Sequence, residues 1–554
     1  MSDTTPTKPT TIGEQIEKLR ERVKSTPGDS RAQAQLGDLL YQSGDLDNAK
    51  THLSIATAID PGLVGSYIQL GTICIRDCEY FRALGSWGMA QTFRPQDYIR
   101  LKMAVALPPI VENTNYIAIM QARLGQALKH MAEAGLNLEA PARDSATLFY
   151  LAYHGYNDRA YYEALVNIYL KSQPEYGAVA PHCAAGRDRI KEPRIKIGFV
   201  SSFFFDHSIG RLFKGMMMGL DHKRFHVTVG FLPHRTDHVT EEIKRRVDRT
   251  IQLPLDLSAS REKLMAQELD VVVYPELGMD VFALTLAMAR VAPVQAMSWG
   301  HPVTSGIPNM DYFVSSEDLE GPGSEDHYSE KVFKLNTFGT CYARPMMPET
   351  PKTRADFGME EDVHYYMVAQ YLFKLHPDFD QILGDVLKRD PKGHILLVHG
   401  ARRRWSELLL ARFKNSIPQV VDRIRFVPSQ SHDNFLALMG CVDVSLDIPQ
   451  FNGGNTTLEA LSIGLPVVTM PTEFARGRYC MSIYKHMRYT DLVAESPEQY
   501  AELAVRLATD PEFKDQAKDR IAETVPRAFD NKEAIKEWER FFIEACAEKG
   551  IEPG

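Results

Sequence analysis

The sequence predicts an all-α repeat region followed by two α/β, Rossmann-like domains. Three observations carry that expectation. A residue pattern near the front of the chain recurs every 34 positions. After Arg194, short β-branched runs begin to alternate with helical stretches. A proline-bearing stretch around 345–351 divides those runs into two groups of five.

The 34-residue step links Pro27, Pro61 and Pro95, and also Leu36 with Leu70, Gly37 with Gly71, Ala49 with Ala83, and Ala56 with Ala90. This is the period of a tetratricopeptide unit, a helix-turn-helix that buries its apolar face only by stacking on neighbours. The small residues mark close approaches. Gly37 and Ala49 lie where the two helices of one unit touch, and Ala56 lies against the next unit. The proline ends the second helix. A half unit precedes two full units at 30–63 and 64–97, which places the repeat region at 12–107. The polar, proline-bearing residues 1–11 are expected to be disordered. Pro108-Pro109 ends the array, and amphipathic helices from about 113 to 172 read as a helical connector over 108–193.

The first α/β half, 194–345, has strand candidates at 195–200, 225–231, 270–274, 294–299 and 312–315. The second, 346–554, has them at 365–369, 394–399, 424–427, 442–446 and 466–470. Apolar strands alternating with helices imply parallel sheets covered on both faces. Two such domains leave a cleft between them. Ligands of these sheets bind outside the carboxyl ends of the strands, so the useful residues should follow the strands.

Composition limits the partners. A net charge of −9 spread over 554 residues argues against a dedicated nucleic-acid binder, which needs a basic face. The seven cysteines are scattered with no Cys-x-x-Cys pair, so a disulfide framework or structural zinc site is not expected and a reducing cytoplasm fits. The N-terminus has no apolar core of a secretory signal, and no run of about 18 apolar residues offers a membrane span.

After the 442–446 strand comes Asp447-Ile448-Pro449-Gln450-Phe451-Asn452-Gly453-Gly454-Asn455-Thr456-Thr457-Leu458-Glu459. The glycines sit just before a helical pattern. Glycines let backbone approach a ligand closely, free N–H groups point outward, and the helix dipole favours an anion. Asn455 or Thr456 would otherwise be the N-cap, and Glu459, one turn in, is placed to accept from ribose hydroxyls. On this segment alone an anion site and an ordinary capped helix are both open. No Gly-Lys-Ser/Thr and no Gly-x-Gly-x-x-Gly follows, so this is neither a Walker A loop nor a dinucleotide fingerprint.

At these residues the chain resembles the protein O-GlcNAc transferase and SPINDLY-like family, metal-independent two-domain (GT-B) glycosyltransferases that carry tetratricopeptide repeats, and within it the short-repeat, bacterial-type members. The resemblance is strongest in Phe199-Val200-Ser201-Ser202-Phe203-Phe204-Phe205-Asp206-His207-Ser208, in Gln295 through Gly306 with Met310-Asp311-Tyr312, in Tyr371-Leu372-Phe373-Lys374-Leu375, and from Asp447 through Arg478. It implies inverting transfer of a sugar, GlcNAc from UDP-GlcNAc, to Ser or Thr hydroxyls of a protein or peptide acceptor, with no cofactor and no metal. It also implies roles. Lys374 contacts the donor diphosphate. Gly453, Gly454, Asn455, Thr456 and Thr457 form the loop that grips it. Glu459 holds the ribose, His432 lies near the ribose, the Gln430 backbone reads the uracil edge, and Phe435 stacks on uracil. His207 faces sugar and acceptor as a catalytic candidate, and Gly300 approaches the sugar.

The chain departs from long-repeat members, which have His-Thr-Thr where it reads Gly454-Asn455-Thr456 and Asp where it has Glu459. The asparagine ladder with which those members hold acceptor peptides corresponds to Gln35 and Gln69 in a short array here, so acceptor choice is the part that transfers least; partner binding by the repeats is a further expectation. Each residue also has a plainer reading. Lys374 sits in an apolar segment, where an ammonium needs an anion unless it snorkels to solvent. His207 is a hydrogen-bonding group or base, or a neighbour of a helix N-cap. His154, in a Tyr-His-Gly segment, is equally a structural histidine. Asp378-Phe379-Asp380 spells a metal-sugar motif but follows Pro377 at a helix start, where acids cap. Arg476 or Arg478 orients its loop, reaches the cleft or is solvated, and Arg402-Arg403-Arg404 reads as a solvated helix start. The acceptor proton leaves through His207, water or the donor phosphate. The rival functions are a GDP-fucose O-fucosyltransferase, a UDP-glucose N-glucosyltransferase, a glycan or small-molecule transferase, and a non-catalytic repeat scaffold.

Overall fold

The computed structural model describes residues 11–138, 146–184, 193–232, 235–346, 351–400 and 402–551. The expected disorder of the N-terminus falls on residues 1–10, outside the described ones, as does most of the stretch dividing the two α/β halves. The chain forms two compact units, Met1–Pro109 and Ile110–Gly554.

Among its described residues the first unit has six helices: α1 Ile12–Ser25, α2 Ser30–Ser43, α3 Leu46–Ile59, α4 Val64–Arg76, α5 Tyr80–Phe93 and α6 Asp97–Val105. Thr11 and Glu14 make a reciprocal capping box on α1, and Asp29 caps α2 through the Ala32 N–H. Gly44, at φ +89°, turns the chain out of α2 in the left-handed region that favours glycine. Ile16, Leu36, Leu40, Ala49, Leu53 and Leu70 share one buried cluster. The repeat glycines are explained by the facing helix. A Cβ at Gly37 would lie 2.6 Å from Leu53 Cγ. One period later, a Cβ at Gly71 would lie 2.3 Å from Trp87 Nε1, and that indole N–H donates to the Ile68 carbonyl.

The second unit opens with the helices Thr114–Ala134 and Arg159–Ser172. Its first sheet comprises β1 Ile195–Ser201, β2 Phe225–Phe231, β3 Arg249–Gln252, β4 Val271–Tyr274, β5 Val294–Ser298, β6 Tyr312–Ser316 and β7 Lys331–Leu335, in the order β3-β2-β1-β4-β5-β6-β7. Its second comprises β8 His364–Val368, β9 Gly393–Val398, β10 Ile424–Val427, β11 Val444–Leu446 and β12 Val467–Val468, in the order β10-β9-β8-β11-β12. The pairs in both sheets are parallel. Strand order reverses between β1 and β4 and again between β8 and β11, and at these switch points the loops diverge and leave a crevice.

Two strands, β3 and β7, were not expected. Both are edges with polar, partly exposed sequences, Arg-Thr-Ile-Gln and Lys-Val-Phe-Lys-Leu, so they lack the apolar run of a central strand. The C-terminal helix Lys532–Glu548 also departs from the chain-order boundary at 346. Its Trp538, Phe541 and Phe542 pack on Phe213, Tyr312 and Phe199 of the first α/β half, and Tyr312 donates to Glu548 at 2.6 Å.

Gly71→Ala should destabilise the full chain by about 1–3 kcal/mol, because the rigid indole of Trp87 cannot yield as a leucine end can. Gly85→Ala, on α5 with nothing within 4 Å of its Cβ position, should instead be neutral or stabilising by up to about 1 kcal/mol. Paired denaturant titrations measure both.

Candidate functional site

The switch point between β8 and β11 carries the site. β11 ends at Leu446, and the next residue, Asp447, turns its carboxylate back under the loop. Oδ1 accepts from the Gly453 N–H at 2.8 Å and Oδ2 from the Thr469 hydroxyl at 2.8 Å. Burial pushes the Asp447 carboxyl up to about 7. The helix Asn455–Ser462 then starts with Gly454 at its N-cap and no side-chain cap hydrogen bond. Its first-turn N–H groups therefore lack the oxygen of an ordinary capped helix, while Gly453, Gly454, Asn455 and Thr456 line an open pocket of about 350 Å³. Thr457 does not line it: the buried hydroxyl turns back to the Gly453 carbonyl and holds the loop from behind. A Cβ at Gly453 would meet Gln370 Nε2 at 2.1 Å and Thr456 Oγ1 at 2.3 Å, so a side chain there would displace the Gln370 amide or the Thr456 hydroxyl.

Lys374 comes to the same pocket from the loop after β8. Its Nζ donates to Gln370 Oε1 at 2.9 Å and lies 4.4 Å from the centre of the Phe451 ring. Gln370 Nε2 donates in turn to Thr456 Oγ1 at 2.7 Å, so one amide ties the lysine to the glycine loop. Desolvation lowers the Lys374 pKa to about 8, with Asp447 opposing the shift. An ammonium poised this way gains from an incoming anion.

Past the loop, the pocket wall is Glu459 with His432, Gln430 and Phe435. Glu459 Oε1 accepts from His432 Nε2 at 2.8 Å and from Arg211 Nη1 at 3.0 Å. The opposite wall belongs to the first α/β half. Gly300 admits no side chain, since a Cβ would lie 2.6 Å from the Pro275 carbonyl oxygen. Tyr479 donates to the Trp299 carbonyl at 2.9 Å, and Tyr342 donates to Asn455 Oδ1 at 2.7 Å, so both halves shape one cavity.

His207 is the N-cap of the helix Ser208–Gly219, and its Nδ1 accepts from the Ile209 N–H at 3.2 Å. The pocket wall is formed by the next residues, Ser208 and Ile209. Of the sequence-derived residues, Lys374, Gly300, Gln430, His432, Phe435, Gly453, Gly454, Asn455, Thr456 and Glu459 line the pocket, and His207 and Thr457 do not. Sequence reasoning missed Gln370, Arg211, Tyr342, Tyr479 and the anchoring role of Asp447. Gln370 and Asp447 carried a local signal, standing directly after the expected 365–369 and 442–446 strands.

The remaining candidates do not line this pocket. His154 is buried and its pKa falls to about 3 by desolvation, so it stays neutral. Asp380 is locked by Arg412, with Nε and Nη2 at 3.0 and 2.8 Å, and Asp378, at the N-cap position, makes no capping bond but accepts from Thr114. Arg476 is buried, 3.5 Å from Asp158, and donates to the Tyr156 carbonyl, so its side chain is engaged outside the pocket while its own carbonyl accepts from the Asn452 N–H at 2.7 Å. Arg402 is buried too, whereas Arg403 and Arg404 are exposed. Among the described residues no group of three or more His, Cys, Asp or Glu side chains is placed to hold a metal, and no helix is long and apolar enough to cross a membrane.

Residues 180–352 and 346–536 match the profile described as glycosyl transferase family 41. The chain is 27% identical over 342 residues to a probable UDP-N-acetylglucosamine–peptide N-acetylglucosaminyltransferase SPINDLY of Petunia hybrida, covering 58% of this chain and 35% of that protein. It is 26% identical over 369 residues to the similarly described SEC of Arabidopsis thaliana, covering 63% and 37%. The chain thus spans about a third of the length of the curated relatives it matches. In fold it is similar to an O-GlcNAc transferase mutant from Thermobaculum terrenum, with a TM-score of 0.71 and 21% identity over 97% of this chain and 96% of that one.

The two loop glycines should respond differently to alanine. Gly453→Ala should weaken nucleoside diphosphate binding by about tenfold or more, because it drives Gln370 and Thr456 apart. Gly454→Ala, whose Cβ would find its nearest neighbours at 3.7 and 3.9 Å, should change binding little. Calorimetric titration distinguishes them.

Proposed function

The chain belongs to glycosyl transferase family 41, and from that premise we propose that it transfers a sugar, GlcNAc from UDP-GlcNAc, to Ser or Thr hydroxyls of protein acceptors, with inversion at the anomeric carbon. One observation carries the reading. An uncapped helix N-terminus, a glycine loop and a desolvated lysine converge on one pocket at the β8/β11 switch point. That convergence suits a diphosphate better than a single phosphate, because the helix and the lysine supply two separate positive ends.

In this reading the helix N-terminus, Thr456 and Lys374 hold the diphosphate and stabilise the charge that develops on the departing UDP. Glu459 accepts from the ribose, and Gln430 and Phe435 form the seat of the base. Gly300 leaves room for the sugar, and the acceptor hydroxyl attacks from the opposite side. Nδ1 of His207 accepts from the helix N–H of Ile209. The acceptor proton leaves through His207, through water or through the donor phosphate.

Lys374→Ala should lower the transfer rate by about 100- to 1,000-fold, and a variant that kept the full rate would sink the assignment. UDP affinity should fall as pH rises above about 8. Below that value Lys374 is charged in the empty site, and above it binding must first recruit a proton. The dependence ends near the bound-state value, close to the ordinary lysine pKa of about 10.4. A thermal shift larger with GDP than with UDP would favour the fucosyl donor. Mass spectrometry of a lysate incubated with UDP-GlcNAc reads out the acceptor, and no modified protein with any nucleotide sugar would favour the scaffold.

A further inference from the structure

Glu459 is 2% exposed, and its two carboxylate oxygens are treated unequally. Oε1 accepts from both Arg211 and His432, at 3.0 and 2.8 Å. Among the described residues no donor reaches Oε2, although Glu459 lines the pocket. Arg211 stands on the helix Ser208–Gly219, which follows β1 of the first sheet, and Glu459 stands on the helix that follows β11 of the second. The Arg211 Nε holds Asp206 Oδ1 at 2.8 Å, so the guanidinium is anchored on its own side before it reaches across. Arg211 itself lines the pocket at this end.

A carboxylate taken out of water needs a cationic partner and a fixed orientation. Arginine supplies both, because its planar fork spans two carboxylates in one geometry. The consequence lies at the other oxygen. With Oε1 saturated, the plane of the carboxylate is set, and Oε2 remains as an acceptor-only group facing the pocket. A ribose hydroxyl is the donor that fits it.

We propose that Arg211 is a positioning residue for ribose recognition: it reaches from the first α/β half to Glu459 in the second and presents Oε2 to a donor hydroxyl, so that the ribose is read only when the halves are closed on each other. The inference rests on the nucleotide-sugar reading above. It adds a residue of the acceptor-side half to nucleoside selection.

The test uses UDP, 2′-deoxy-UDP and 3′-deoxy-UDP, titrated calorimetrically into the full-length protein and its Arg211→Gln variant. The wild type should bind UDP about tenfold more tightly than at least one deoxy analogue, the expected size of a hydrogen bond to a charged group. In Arg211→Gln that ratio should shrink to about twofold or less, while affinity for the deoxy analogue changes little. A merely structural role weakens all three ligands together and preserves the ratio, and that result overturns the proposal. A wild type that binds UDP without preferring the ribose hydroxyls also overturns it, yet leaves the donor reading standing. A wild type that binds no UDP removes the donor reading itself. Should Arg211→Gln fail to fold, Arg211→Lys serves. A single ammonium cannot hold Asp206 and Glu459 together, so the ratio should fall to about threefold, and an unchanged tenfold ratio overturns the proposal.

Discussion

The carboxylate of Asp447 is the contact on which the donor side depends. It sits at the end of β11, 2% exposed, and fixes the loop from beneath through the Gly453 N–H and the Thr469 hydroxyl. The Asp447 carbonyl accepts from Tyr500 at 2.8 Å, which ties the same residue to the helix behind. With the loop held so, Gln370 can meet Thr456 and Lys374 at once. Burial raises the Asp447 carboxyl to about 7 and lowers the Lys374 ammonium to about 8, while each group's charge opposes the other's shift. A desolvated ammonium of this kind gains from an anionic guest.

A second set of contacts joins the two halves. Arg211 to Glu459, Tyr342 to Asn455 and Tyr479 to the Trp299 carbonyl each link the first sheet's surroundings to the second's. The aromatic contacts of Trp299 with Phe213, Phe338 and Tyr479 fill the space between. The C-terminal helix crosses to the first half and adds Trp538 and Phe542 to that core. The cleft is therefore a designed junction of polar crossings over an aromatic floor, not merely a gap between two sheets.

Much of this was legible in one dimension. The central strands announced themselves because a parallel strand covered on both faces must be apolar and β-branched. The repeat announced itself because glycine recurs where the facing helix presses close, at Leu53 and one period later at Trp87. The glycine loop and Lys374 were visible because each is odd for its place: two glycines before a helix, and a cation in an apolar segment. The edge strands β3 and β7 were not visible, since one side faces solvent and their composition is polar. Nor was the use of Thr457, whose hydroxyl could serve a ligand or its own backbone with equal sequence support, and chose the backbone.

The sequence by itself determined the order of the elements, the family, and the residues that follow the strands β8 and β11, because those depend on local pattern and on which end of a parallel sheet its loops occupy. Only the tertiary structure decided which groups share a site. Gln370, Arg211, Tyr342 and Asp447 were assigned no role from sequence, and their partners lie between 4 and 248 residues away. Whether a buried carboxylate or hydroxyl serves the fold or the ligand is settled by which partner its oxygens meet, and those partners come from elements that only folding brings together.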